Sequence, residues 1–204
     1  MSSNGAISYE LGGSLYLNIT NRCTNDCDFC LRNLRDNANG KDSLWLDADP
    51  TTEEILEDLS GRTLEKYDEI VFCGYGEPLA RPETALEICR WLKQKDPNLQ
   101  IRINTNGHGN LIAGRDITPE MEGIVDALSI SMNAKDSEQY DKICHSVYGK
   151  SAYEKMLEFA CAAKPHVPSI TLTVVDVIDP EDIAICEKVA SILDFSFRVR
   201  TMIN

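Results

Sequence analysis

Short stretches of alternating apolar and polar residues recur along the chain. Between them lie longer stretches in which apolar residues return every three or four positions. The first kind reads as strand and covers residues 15–20, 69–73, 100–105, 126–132, 169–175 and 195–202. The second kind reads as helix. Thr51-Thr52-Glu53-Glu54 offers a capped start, with Ile55, Leu56 and Leu59 on the apolar face. Pro82–Lys95 follows with Leu86, Ile88, Trp91 and Leu92 as core candidates, and further helices are expected over 118–123, 137–143, 152–163 and 181–193. Residues 1–13 form an N-terminal extension outside this pattern. Six strands separated by helices imply βαβ units and a parallel sheet. Six units are too few for a closed eight-fold barrel, which leaves an open doubly wound sheet or a partial barrel.

Strand parity separates these two. Tyr16, Asn18 and Thr20 share one face, as do Arg102 and Asn104, Ser129 and Ser131, Thr171 and Thr173, and Arg198 and Arg200. The opposite parity is mostly Leu, Ile and Val. A parallel sheet covered by helices on both sides is apolar on both faces. A face that is polar on five of six strands instead lines a cavity for a polar ligand. The expected fold is therefore α/β, a partial (β/α)6, TIM-like barrel of six parallel strands. The loops after the strands share one rim, where ligands bind in such folds. That rim collects Cys23, Cys27 and Cys30, the turn Gly74-Tyr75-Gly76-Glu77-Pro78, the pair Asn106-Gly107, and Asn133.

Composition narrows the setting. The 204 residues suit one domain spanning the chain, with no C-terminal accessory domain expected. No apolar run is long enough for a membrane span, and residues 1–13 do not read as a signal peptide, so a cytoplasmic location is expected. The net charge is −13, which disfavours a non-specific grip on nucleic acid. The chain has eight cysteines, which in a reducing compartment are thiols or metal ligands.

Three of them form Cys23-x3-Cys27-x2-Cys30. Spacings this short let one loop wrap a compact metal centre. A structural zinc site and an all-protein iron–sulfur site both want four ligands. Three in one loop therefore imply either a cluster with one open iron or a zinc site completed from afar by Cys73, Cys144 or His145. Cys73, Cys89, Cys161 and Cys186 fall in strand or helix patterns and carry no assigned chemistry. Cys144 and His145 fall in a loop after the fourth strand, while His108 and His166 are expected at the surface.

With Phe29 before the third cysteine and the whole motif just after a first strand, these residues resemble the radical SAM superfamily. The resemblance implies a minimal radical SAM core. Cys23, Cys27 and Cys30 would bind three irons of a [4Fe–4S] cluster, and the open iron would bind S-adenosylmethionine (SAM). One-electron reduction, by a donor such as flavodoxin or ferredoxin, would yield a 5′-deoxyadenosyl radical that takes hydrogen from a substrate. Phe29 would lie near the adenine. Gly74, Tyr75, Gly76 and Glu77 resemble the segment that contacts the SAM amino group, although Tyr75 stands where a small residue is usual. Asn106, Ser131 and Asn133 are further SAM candidates. Nearly the whole chain is similar to the small TatD-associated members. The stretches that carry this likeness are Tyr16-Leu-Asn-Ile-Thr-Asn-Arg-Cys23, Val71-Phe-Cys-Gly-Tyr-Gly-Glu-Pro78, Arg102-Ile-Asn-Thr-Asn-Gly107, Gly114-Arg-Asp-Ile-Thr-Pro119 and Phe197-Arg-Val-Arg200, and they imply a functional link to a TatD-type hydrolase.

Arg102, Arg198 and Arg200 share the polar parity and need partners. These are either a carboxylate of SAM or substrate, or structural acids such as Asp176 or Glu77. The leading reading is a radical SAM enzyme for a small or medium, polar or anionic substrate. Two others stay open at this point: an activating enzyme that installs a glycyl radical on a partner protein, and a non-catalytic iron–sulfur or zinc protein for redox sensing or scaffolding.

Overall fold

The structure, a computed structural model, describes residues 5–33 and 43–202. β1 (Ser8–Leu11) and β2 (Ser14–Leu17) form an antiparallel hairpin. Its turn uses Gly12 and Gly13, both at positive φ, where a side chain would be strained. The N-terminal extension thus adds a strand outside the expected six. Ser8-Tyr9-Glu10-Leu11 is too short to show a period, and the Gly-Gly pair was its only signal.

The six parallel strands are present. β2 pairs with β3 (Ile70–Phe72), followed by β4 (Ile101–Thr105), β5 (Ala127–Ser131), β6 (Ser169–Val175) and β7 (Ser196–Arg200). Their spatial order follows chain order without reversal. Right-handed crossovers then return every helix to the same face, so the sheet curls toward a barrel. A doubly wound sheet would need a reversal of strand order. Among the described residues β7 pairs only with β6, so the barrel stays open.

The helices are α1 (Thr52–Ser60), α2 (Pro82–Lys95), α3 (Gly109–Ala113), α4 (Ser137–Cys144), α5 (Ser151–Ala163) and α6 (Pro180–Ile192). The Thr51 start is a full capping box: Glu54 N–H donates to Thr51 Oγ1 at 3.2 Å, and Thr51 N–H donates to Glu54 Oε2 at 2.7 Å. The expected helix over 118–123 shortens to a 3-10 turn, Thr118–Met121, and α3 was not expected. Leu15, Leu17, Ile70, Phe72, Ile101, Ile103, Ile130, Leu172 and Val174 are fully buried in one core with Ile55, Leu86 and Cys89 from the helices. Burying each large side chain of this kind stabilises by about 1.5–3 kcal/mol.

The polar parity faces inward as expected. Arg102 is level with Ala127, Asn104 with Ser129 and Thr171, and Ser131 with Thr173 and Arg198. On and just after β2 part of the polar side is drawn into packing, although Tyr16 also bonds Arg102 of the inner wall. Asn18 Nδ2 donates to Ala6 O (3.0 Å) and Leu44 O (2.8 Å). Tyr16 stacks on Tyr9, and Tyr9, Leu44 and Tyr75 make a second small core.

Candidate functional site

Cys23, Cys27 and Cys30 lie on the loop after β2, all half-buried. The end of α4 holds this loop. Asp26 N–H donates to Cys144 O (2.9 Å), Asp28 N–H to Ile143 O (3.1 Å), and Val147 N–H to Thr24 O (2.9 Å). The first two bonds satisfy carbonyls that a helix C-terminus leaves unpaired. His145 ends α4 in the left-handed region, and its Nε2 pairs with Asp28 at 2.8 Å.

Burial pushes the Cys23 thiol up to about 12 and raises Cys30 as well, and the proximity of Cys27 adds to both. Cys27 is raised most by a hydrogen bond to Cys144, then by burial. Contrary to expectation, Cys144 is the last residue of α4 and fully buried. Among the described residues the side chains do not converge into a three-donor metal group, and Cys27 leans on Cys144 instead. Of the three remote residues that could complete a zinc site, Cys144 and His145 both lie beside the loop. His145 is taken by Asp28, and Cys73 faces Asn104 and Arg200.

The Gly-Tyr-Gly-Glu turn follows β3. A Cβ on Gly74 would sit 2.0 Å from Asn18 Oδ1, and one on Gly76 would sit 2.3 Å from Thr20 O and 2.7 Å from Arg22 O. Both glycines are therefore required by packing against β2 and the cysteine loop. The Tyr75 ring belongs to the small core with Tyr9 and Leu44 and meets Trp45 edge-on at 5.2 Å. Glu77 is 4% exposed. Its Oε1 accepts from Leu79 N–H (3.0 Å) and Thr105 Oγ1–H (2.6 Å), and its Oε2 accepts from Asn106 N–H (2.6 Å). Burial raises its carboxyl above the ordinary range, against the pull of these donors. Glu77 thus ties the turn after β3 to the end of β4.

Asn106 and Phe29 are at the rim, and Phe29 packs partly against the main core. The Asn106 amide donates to Thr24 Oγ1 (2.9 Å) and to Cys23 Sγ (3.8 Å). His108 corrects the sequence reading: it is fully buried, and burial lowers its pKa to about 4. Its signal was its place three residues after β4, on the rim with Asn106. His166 is half-buried against Glu122 (3.0 Å).

The three arginines separate. Arg102 is spent: its Nε donates to Glu69 Oε2 (3.0 Å) and both terminal nitrogens are engaged, on Glu69 Oε1 (2.6 Å) and Asn104 Oδ1 (2.7 Å). Arg198 is exposed; its one hydrogen bond among the described residues is to Ser129 Oγ at 3.4 Å, and its charge also acts on Glu69. Arg200 donates at 3.2 Å to Ser131 Oγ and at 3.4 Å to Asn133 Oδ1, while its buried Nε has no partner among the described residues. Burial pulls its guanidinium below the usual value. Among the described residues neither suggested acid pairs with Arg198 or Arg200: Glu77 accepts from Leu79, Thr105 and Asn106, and Asp176 accepts from Met202 N–H at 2.7 Å. Cys73, which the sequence reading set aside, faces this inner surface, where Asn104 bonds it.

An open parallel barrel with a three-thiol loop after its first parallel strand and a cationic inner wall is the frame of a cofactor-dependent α/β enzyme. Residues 17–189 match the model of the Radical SAM superfamily, and the chain belongs to that superfamily. Its cofactors are a [4Fe–4S] cluster and SAM. The chain is similar to methylornithine synthase, with a TM-score of 0.60 at 19% identity over 93% of this chain and 53% of that one. It is also similar to a radical SAM methyltransferase from Sphaerobacter thermophilus (0.60, 13%, over 95% and 68%) and to Streptococcus suis SuiB bound to S-adenosylmethionine (0.57, 13%, over 93% and 38%). At such identities the likeness is one of fold. The chain spans about half the length of methylornithine synthase. A search of curated proteins finds no match. No helix among the described residues is long and apolar enough to cross a membrane.

In donor chemistry the residues fit the cluster, while the three side chains are not gathered around one point. Three soft thiols share one loop, no carboxylate belongs to the trio, and Cys23 Sγ accepts from Asn25 N–H at 3.4 Å as well as from Asn106. Thiols raised by burial ionise when a bound cation supplies the compensating charge.

Proposed function

We propose that this chain applies the radical chemistry of its superfamily to a small or medium-sized anionic substrate held against the inner wall of the open barrel. When bound, the cluster and SAM supply a 5′-deoxyadenosyl radical, formed by one-electron cleavage of the S–C5′ bond, which takes a hydrogen atom from the substrate. Cys23, Cys27 and Cys30 hold the cluster. Phe29, the Gly74–Gly76 backbone, Ser131 and Asn133 border SAM, and Tyr75, Glu77 and Asn106 brace that border from behind. The electron comes from a small donor such as flavodoxin or ferredoxin. A functional link to a TatD-type hydrolase is part of this reading, supported by the sequence stretches that resemble that group.

Arg200 carries the substrate assignment. A half-buried guanidinium with only long contacts to neutral groups, and with a buried, orphaned Nε, has no counter-ion among the described residues of a chain of 33 acids and 20 bases. A carboxylate or phosphate group supplies it.

The test is anaerobic reconstitution, reduction, and measurement of 5′-deoxyadenosine with a panel of small carboxylates, phosphate esters and their neutral analogues. Anionic members should stimulate the wild type, and Arg200→Met should lose that stimulation. Cys27→Ala should release no 5′-deoxyadenosine. Equal stimulation by neutral analogues would defeat the anionic assignment. An intact cluster that never cleaves SAM would defeat the enzymatic one.

A further inference from the structure

Cys23 ends a hydrogen-bond chain that starts deep in the fold. His108 Nε2 lies 3.2 Å from Ala152 O, and His108 Nδ1 lies 2.8 Å from Thr24 Oγ1. Asn106 Nδ2 donates to Thr24 Oγ1 at 2.9 Å and to Cys23 Sγ at 3.8 Å. Each link has only one direction. The Ala152 carbonyl can only accept, so the ring hydrogen is on Nε2 and Nδ1 is bare. Nδ1 therefore accepts the Thr24 hydroxyl hydrogen, which leaves the Thr24 oxygen to accept from Asn106. The Asn106 oxygen is identified by the His108 N–H that it accepts at 3.0 Å. With that end fixed and one amide hydrogen on Thr24, the other is aimed at Cys23. His108 is fully buried and touches the Tyr140 and Tyr148 rings edge-on, at 6.2 and 5.6 Å between centroids, so no water can take over its role.

We propose that Thr24 and His108 are positioning residues that hold the Asn106 amide on the Cys23 sulfur and thereby raise the reduction potential of the cluster. The inference rests on Cys23 being a cluster ligand. A donor on a ligand sulfur offsets negative charge. The reduced cluster carries one more electron than the oxidised one, so the donor stabilises the reduced form more. Freeing the amide makes the cluster harder to reduce.

The experiment is an EPR-monitored redox titration of the reconstituted full chain without SAM, with iron and sulfide counted per chain. Thr24→Val keeps the side-chain shape and removes both hydrogen bonds. It should keep wild-type iron and shift the midpoint to more negative potential, and Thr24→Ser should restore it. His108→Phe, one link further out, should shift it in the same direction by less. If Thr24→Val fails to hold the cluster, His108→Phe decides by the same measurement. A wild-type midpoint in a variant with full iron overturns the inference. A wild type that assembles no four-iron cluster overturns the ligand assignment beneath it.

Discussion

Glu77→Gln tests whether the glutamate of the rim turn is a structural tie. The wild-type carboxylate accepts three hydrogen bonds in a site that is 4% exposed. A glutamine oxygen placed at Oε1 keeps the Leu79 and Thr105 bonds. Its amide nitrogen then faces Asn106 N–H across 2.6 Å, donor against donor. An orphaned buried N–H costs about 1–3 kcal/mol, and the two bonds that remain weaken as their acceptor loses its charge. Relief of a buried charge offsets part of this, so a net loss of about 2 kcal/mol is expected. Urea unfolding of the metal-free protein at neutral pH should show a lower midpoint with an unchanged slope. The sign with pH follows from the raised carboxyl. The folded chain holds this proton more tightly than the unfolded one, so the carboxyl's contribution is full below the ordinary value of 4.5 and is lost as pH rises through the folded value. The penalty of the substitution should therefore be largest at the acid end and shrink toward neutrality. A glutamine variant as stable as wild type at every pH would refute the tie and leave Glu77 free for a ligand.

Gly76→Ala would press a methyl group onto the backbone oxygens of Thr20 and Arg22, which cannot rotate away, so the cysteine loop must shift. A loss of about 1–3 kcal/mol and reduced iron per chain are expected, read by unfolding and iron assay. Cys144→Ala should retain wild-type iron after reconstitution and leave a cluster that still cleaves SAM. Loss of the metal would instead make Cys144 a fourth ligand and revive the zinc reading. Thr51→Ala removes a complete capping box and should cost about 1 kcal/mol with no change in iron content, a control for effects remote from the rim.

Much of this protein follows from order along the chain alone. Periodicity is a local property, so the parallel strands, the Thr51 cap and the polar parity of β4 to β7 were legible from one sequence. The spacing of Cys23, Cys27 and Cys30 was legible for the same reason, because one loop carries all three. Strand order in space was nearly implied, since right-handed crossovers leave few alternatives. What remained hidden depends on distances between segments far apart in the chain. Arg102 and Arg200 look alike in sequence, yet Glu69 neutralises the first and, among the described residues, no acid pairs with the second. Tyr75 and Asn18 share the rim segments with ligand candidates, but the 44–46 stretch and the β1 hairpin draw them into packing. His108 looks like a loop residue until α5 closes over it, and only the tertiary fold brings it and Asn106 within bonding distance of Thr24 on the cysteine loop. Side-chain pairing of this kind depends on which elements meet in three dimensions, and a one-dimensional pattern carries no term for it.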